Sequence, residues 1–282
     1  MKQSLVVLAL AGLSAAGWAA DPKQELNVAS RKRLTSVETQ TVIENGATKT
    51  VAVKLSVPMT VAAKIDPART AVVVCDMWDD HWCKSASARC AELAKAADPV
   101  LKACRDRGMT IVHCPSDTMK FYEDHPARKR MLAVEKATPP KSKDLPNPPL
   151  PVDDSDGGCD DEKPAKMFKA WTRQHAAIAI DADRDYVTDS GAEVYSLMAA
   201  KKLDTLIVMG VHTNMCVLNR TFAIKQMVKW GKTVYLVRDL TDAMYNPKMK
   251  PFVTHQRGTE MIVEFIEEHW CPTIESKHLL GK

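Results

Sequence analysis

The hydrophobic pattern alternates between short continuous apolar runs and longer stretches with helical spacing. Ala71 to Cys75 is apolar throughout, as expected of a parallel strand covered on both faces. Thr205 to Met209 and Thr233 to Val237 repeat the pattern, and Thr110 to His113 reads as a further strand. Between the first two strands, Cys90, Leu93, Ala97, Leu101 and Cys104 fall three or four residues apart, predicting a helix over Ser85 to Arg107. Asp98-Pro99 is expected to restart or kink that helix, and Gly108 to end it. The alternation resumes with Trp171 to Ile180 as a strand region. Ser190-Gly191-Ala192-Glu193 fits a capping box opening a helix through Leu197 to Lys202. A helix from about Cys216 to Trp230 is closed by Gly231, and a last helix over Glu260 to Glu268 leads to a short strand near Pro272 to Ile274.

Such β–α repetition implies a three-layer α/β/α fold with a mostly parallel sheet and right-handed crossovers. Ligands in these folds bind beyond the carboxyl ends of the strands. That directs attention to Asp76, Cys114, Gly210 to Cys216 and Asp239.

Two regions depart from the alternation. Val37 to Ile43 and Val51 to Val57 are rich in β-branched residues and flank Glu44-Asn45-Gly46, a hairpin turn signal. Residues 138 to 165 are Pro-rich and then acidic, without periodicity, as in a lid or a disordered segment. Within them Asp153-Asp154-Ser155-Asp156-Gly157-Gly158 lacks the late Glu of a calcium loop and reads as a solvated acidic turn. At the start, Lys2, the apolar run Leu5 to Ala16 and small residues up to Ala20 have the form of a signal peptide cleaved before Asp21. The expected organisation is therefore a signal peptide over 1–20, a β-hairpin extension over 21–64 and one α/β domain over 65–282. Export to a bacterial periplasm or beyond follows from that reading, with no membrane contact in the mature form.

A net charge of +4, with basic and acidic residues interspersed, gives no reason to expect nucleic-acid binding, and Arg31 to Arg33 reads as a solvated edge. Eight cysteines in an exported chain raise the question of disulfides. Cys83, Cys90 and Cys159 are the better candidates, because they fall in loop or helix-start regions, whereas Cys75 reads as a small buried hydrophobe.

Cys216 follows a strand and the turn Gly210-Val211-His212-Thr213-Asn214-Met215 and begins a helix. That placement offers free N–H groups and a positive dipole end, which favour thiolate and could hold an oxyanion; a buried structural cysteine is the alternative. Asp76, at the end of the first apolar strand, could serve such a thiol as general base or simply cap the next turn.

Ala71-Val-Val-Val-Cys-Asp76, Leu206-Ile-Val-Met-Gly-Val-His-Thr-Asn-Met-Cys216-Val, and Arg238-Asp-Leu-Thr-Asp242-Ala243 followed by His255 together resemble the isochorismatase-like and nicotinamidase-like cysteine hydrolases. The resemblance covers roughly residues 68 to 270. It implies a six-stranded parallel sheet and an Asp–Lys–Cys triad, with Asp76 accepting the Cys216 proton. Cys216 would then attack an amide carbonyl of a small-molecule substrate to give an acyl-enzyme. Backbone N–H groups of Met215 and Cys216 would hold the oxyanion, and Val211–His212 would be a cis peptide. The family lysine has no direct counterpart here; Trp171-Thr-Arg173-Gln-His-Ala176 places Arg173 at its position, with Lys169 four residues earlier. Trp78, Trp82 and Trp171 are candidates for an aromatic pocket, and His212 for a substrate contact. Some relatives hold a metal after the second strand, where this chain has His113, Asp117 and His125 without a sharp ligand motif; no cofactor is expected. Many relatives self-associate, and the hairpin is a candidate for that role. The rival readings are vinyl-ether hydrolysis of the isochorismatase kind, a binding protein that has lost the triad lysine, and a redox-sensing thiol protein.

Overall fold

A computed structural model describes residues 24–45 and 47–281. The expected signal peptide lies outside the described residues. Two long strands, β1 (Leu26–Glu44) and β2 (Ala47–Ile65), pair antiparallel along their whole length about a turn at Asn45. Residues 26 to 63 read as extended in sequence, and the paired strands fill that stretch and two residues more.

From β3 (Thr70–Cys75) onward the chain alternates strands and helices. The elements are α1 (Lys84–Asp106), β4 (Thr110–Cys114), α2 (Pro126–Leu132), β5 (Tyr186–Val187), α3 (Gly191–Ala200) and β6 (Thr205–Val211). Then come α4 (Cys216–Asn219), α5 (Ile224–Lys229), β7 (Thr233–Asp242), α6 (His255–His269), β8 (Thr273–Ile274) and α7 (Ser276–Leu280). Strands β8-β7-β6-β3-β4-β5 are mutually parallel, which accounts for the six strands expected. The ribbon joins them antiparallel at Arg31↔Thr273, so the sheet has eight strands in the order β2-β1-β8-β7-β6-β3-β4-β5.

Strand alternation sorts the core into two layers. Ala71, Val73, Leu206, Val208 and Leu236 face a cluster completed by α3, α4, α5 and α6. Val72, Val74, Ile207, Met209 and Val237 face α1 and α7. Each strand is apolar at every position because each face meets a helix. Pro99 lies inside α1, which continues through it rather than restarting.

Two sequence expectations need correction. Residues 171–180 form no ladder strand; their place at the sheet edge is taken by the two-residue β5. Their backbone bonds go elsewhere: Arg173 O accepts from Asp79 N, His175 N donates to Met77 O, and Gln174 N donates to the Tyr122 hydroxyl. The helix expected from Cys216 to Trp230 is two pieces, α4 and α5, broken where Arg220 takes up ψ of 150°.

Candidate active site

The end of β3 delivers Asp76 at φ of +48°, a left-handed conformation that aspartate tolerates better than most residues. Its side chain is fully buried. One carboxylate oxygen accepts the Ser116 N–H at 2.7 Å and the other accepts Arg220 Nε at 3.0 Å. The Cys216 thiol lies close enough to the same carboxylate to feel its charge. What brings β6 alongside is Gly210, at φ of +126°: a Cβ there would stand 2.0 Å from the Cys75 carbonyl oxygen. Beyond it the Val211–His212 peptide is cis, and Asn214 holds the turn by bonds to Met244 N and O at 2.9 Å each.

Arg220 is the cation of this cluster. It lies four residues after Cys216, so it returns to the same side of the chain. It spans the Asp76 carboxylate at 3.0 Å and the Asp117 carboxylate at 3.4 Å. Arg173 does not occupy that place. Its side chain is 48% exposed, 3.8 Å from Asp79, with its guanidinium over the Phe121 ring. The cause is the absence of a strand at 171–180, which leaves Arg173 on the outside of a loop. Lys169 Nζ donates to the Asp117 carbonyl, on the segment whose carboxylate Arg220 touches.

The electrostatics also correct the helix-dipole expectation. A four-residue α4 has almost no aligned dipole to offer the sulfur. Burial, then the Asp76 charge, push the Cys216 thiol well above its ordinary pKa, with Arg220 pulling the other way. Burial also raises the Asp76 pKa, against the opposing pull of Arg220 and Ser116. The resting site is thus a protonated thiol beside a carboxylate that a guanidinium holds in place. The Met215 and Val217 N–H groups both donate to the His212 carbonyl, at 3.0 and 3.2 Å. Met215 is therefore committed within the turn and not available for an oxyanion; the Cys216 N–H has no acceptor among the described residues.

A pocket of about 400 Å³ opens onto Cys216, walled by Leu150, Asp154, Asn214, Met215 and Arg220. Trp78, Trp82 and Trp171 are not among its walls. Trp78 stacks on Trp171 at 4.2 Å between centroids, and His81 stacks on Trp171 at 5.7 Å, so these rings fill each other's space. His212 is buried, 5.0 Å from His81, and its Nε2 has no partner. Asp239 accepts from Ser276 and stands outside the site, whereas Asp242 pairs with His255 at 2.8 Å. His113, Asp117 and His125 do not converge: His113 sits between Gln174 and Asp185, His125 caps α2, and Asp117 meets Arg220. Among the described residues the metal-type donors within mutual reach are Cys83, Cys159 and Asp161, and the two sulfurs are bonded to each other.

The acidic segment, expected to be solvated, is a strap across this end of the sheet. Asp154 accepts from Asn214 at 2.7 Å and Asp156 from Asn246 at 2.8 Å. Gly158, at φ of +69°, lies so close to Met244 that a Cβ would come within 2.2 Å of its carbonyl oxygen. Asp160 forms a two-pronged pair with Arg89, and Asp161 accepts the Lys84 and Ser85 N–H groups at the start of α1. The Cys83–Cys159 disulfide joins the same two segments.

The three sequence motifs and the parallel sheet resemble the isochorismatase-like pattern. Among solved structures the chain is similar to a cysteine hydrolase from Pseudomonas syringae pv. phaseolicola 1448A, at 18% identity and TM-score 0.47, over 77% of this chain and 95% of that one. An isochorismatase family protein from Burkholderia thailandensis matches at 11% identity and TM-score 0.45, over 77% and 98% of the two chains. A ribonuclease from Caenorhabditis elegans matches at 11% identity and TM-score 0.41, over 78% and 85%. At these values the likenesses carry no functional weight. No protein-family model matches the chain, and no curated protein does.

Burial holds His212 neutral with a pKa near about 3 and His81 near about 4. In the unfolded chain both take a proton near pH 6.5. Folded pKa values below the unfolded ones mean stability present above pH 6.5 and lost as pH falls toward those values. Each group contributes a loss of up to about 1.4 kcal/mol per pH unit. Urea midpoints should therefore fall between pH 7 and pH 4.5, and His212→Gln should flatten the fall. A wild-type midpoint constant over that range would contradict the assignment.

Proposed function

We propose that this chain is a cysteine hydrolase that cleaves the C–N bond of a small amide through Cys216. The observation that carries the reading is the protonated Cys216 thiol beside the buried Asp76 carboxylate, at the wall of an open pocket. In this reading the S–H proton passes to Asp76 as sulfur attacks the carbonyl carbon, so a free thiolate is never required in the resting enzyme. In the same reading the Cys216 N–H meets the oxyanion. Collapse expels the amine, which takes the proton back from Asp76 and leaves a thioester. Water, deprotonated by Asp76, then hydrolyses the thioester. Arg220 cannot serve as a proton shuttle at neutral pH, so its part is to hold the carboxylate ionised and oriented.

The test is incubation with a panel of small amides, following amine release together with intact-mass detection of an acyl adduct on the Cys216 peptide. Amine release with a trapped thioester is the expected result. Enol-pyruvate release from a vinyl ether, without amine release, would move the assignment to the isochorismatase reaction. Folded protein giving neither product nor adduct would favour a binding protein. The raised thiol pKa and the guanidinium in place of an ammonium lend that rival its support.

A further inference from the structure

The strap over residues 150–161 contributes Leu150 and Asp154 to the wall of the Cys216 pocket, yet it contains no helix and no strand. Its hydrogen bonds at Asp154 and Asp156 go to single side-chain amides, and water can replace either of them. The covalent tie is Cys83–Cys159, which closes 76 residues of chain and sits at the entry to α1. The six other cysteines are free, and for every one of them burial pushes the thiol pKa up. A thiol held protonated is a poor partner in disulfide exchange. Once formed, the bond is shielded: Cys83 is 0% and Cys159 2% exposed.

We propose that Cys83–Cys159 is a one-way oxidative latch that completes the Cys216 pocket after the chain has folded. The proposal concerns the regulation of the site described above and rests on the reading of Cys216 as its nucleophile. In the reduced chain the strap is held only by its hydrogen bonds and the Asp160–Arg89 pair, so that residues 150–156 can lift from Cys216. A disulfide oxidant R–S–S–R accepts attack by one of the two cysteines, releasing R–SH and leaving a mixed disulfide. The second cysteine attacks that bond, forming Cys83–Cys159 and releasing a second R–SH, so two thiols are oxidised as one disulfide is reduced. Closing the bond draws the strap onto Asn214 and Asn246 and buries the sulfurs. A reductant added to the native protein then no longer reaches them.

The experiment compares oxidised full-length protein, Cys83→Ser/Cys159→Ser, and wild type refolded in reductant, each freed of reductant before assay. Hydrogen–deuterium exchange over residues 150–161 and iodoacetamide alkylation of Cys216 are followed by peptide mass spectrometry, with near-UV circular dichroism as the check on folding. The latch predicts exchange and alkylation faster by about tenfold or more in both unlatched forms. Oxidised glutathione should restore slow rates in refolded wild type and leave the double variant unchanged. Native oxidised protein should resist dithiothreitol. Equal exchange over the strap in latched and unlatched protein would overturn the proposal, as would ready reduction of the native bond. Should the double variant fail to fold, the refolded wild type decides alone. If no form releases amine or yields an acyl adduct, the hydrolase reading fails, while the exchange data still judge the latch.

Discussion

Asp76→Asn should reduce amide turnover by about 10²- to 10⁴-fold while making Cys216 easier to alkylate. The two effects have opposite signs because, in the proposed mechanism, Asp76 acts on the thiol in two ways. As a carboxylate it raises the Cys216 pKa, since thiolate beside it is a like charge. As a base it is where the proton goes when sulfur attacks. Asparagine removes both functions and leaves the Arg220 guanidinium facing the sulfur, so the thiol pKa falls. Alkylation near pH 8, which reads the thiolate fraction, rises; turnover, which needs a proton acceptor, falls. The comparison requires kcat on an identified amide and iodoacetamide rates on the same preparations. Parallel losses in both would mean that Asp76 only positions the turn.

Arg220→Ala should cost about 2–3 kcal/mol of stability at pH 8, and distinctly less at pH 5. Removing one partner of a buried ion pair typically costs about 3–5 kcal/mol, and the partial exposure of Arg220 reduces that. The pH dependence follows from Asp76. Without the guanidinium, burial raises its folded pKa further above the unfolded value of about 3.9. The penalty is that of keeping a buried carboxylate charged, so it applies above the raised pKa and is relieved as pH falls and the group takes up a proton. Arg220→Lys should recover part of the loss, because an ammonium restores the charge but not the reach to both Asp76 and Asp117. Urea midpoints at the two pH values, for all three proteins, test this. A deficit for Arg220→Ala that does not change with pH would separate Arg220 from the charge on Asp76.

Much of the fold was legible because its information is local. Fully apolar runs such as Ala71 to Cys75 and Leu206 to Met209 have few homes other than a strand covered on both faces. Asp76 and Cys216 stand at the ends of such strands, where the topology brings them together. The cation was misplaced because the search for it followed the family's lysine along the chain to Arg173. Its actual holder, Arg220, was findable from helical spacing alone, one turn beyond Cys216. The helix break at Arg220 was not visible, since nothing in Asn219 to Ala223 forbids helix; the side chain's bond to Asp76 accompanies the break. The strap was misread for a different reason. Its acidic residues look solvated in sequence, and their partners Ser85, Arg89, Asn214 and Asn246 lie about 60 to 90 residues away. Segment 171–180 has the apolar content of a strand, but its backbone groups are claimed by Met77, Asp79 and Tyr122.

The β1–β2 ribbon is paired residue for residue from Leu26↔Ile65 to Glu44↔Ala47, yet it enters the main sheet at Arg31↔Thr273 alone. Arg31, Arg33, Lys54 and Ser56 tie its base to α6, so it is the length beyond them that the rest of the molecule does not read. Shortening both arms by the same even number of residues between 38 and 53 keeps every remaining pair opposite its partner and every side chain on its original face. The ribbon is thus modular: its reach can be set by insertion or deletion in matched pairs, independently of the chemistry at the far side of the sheet.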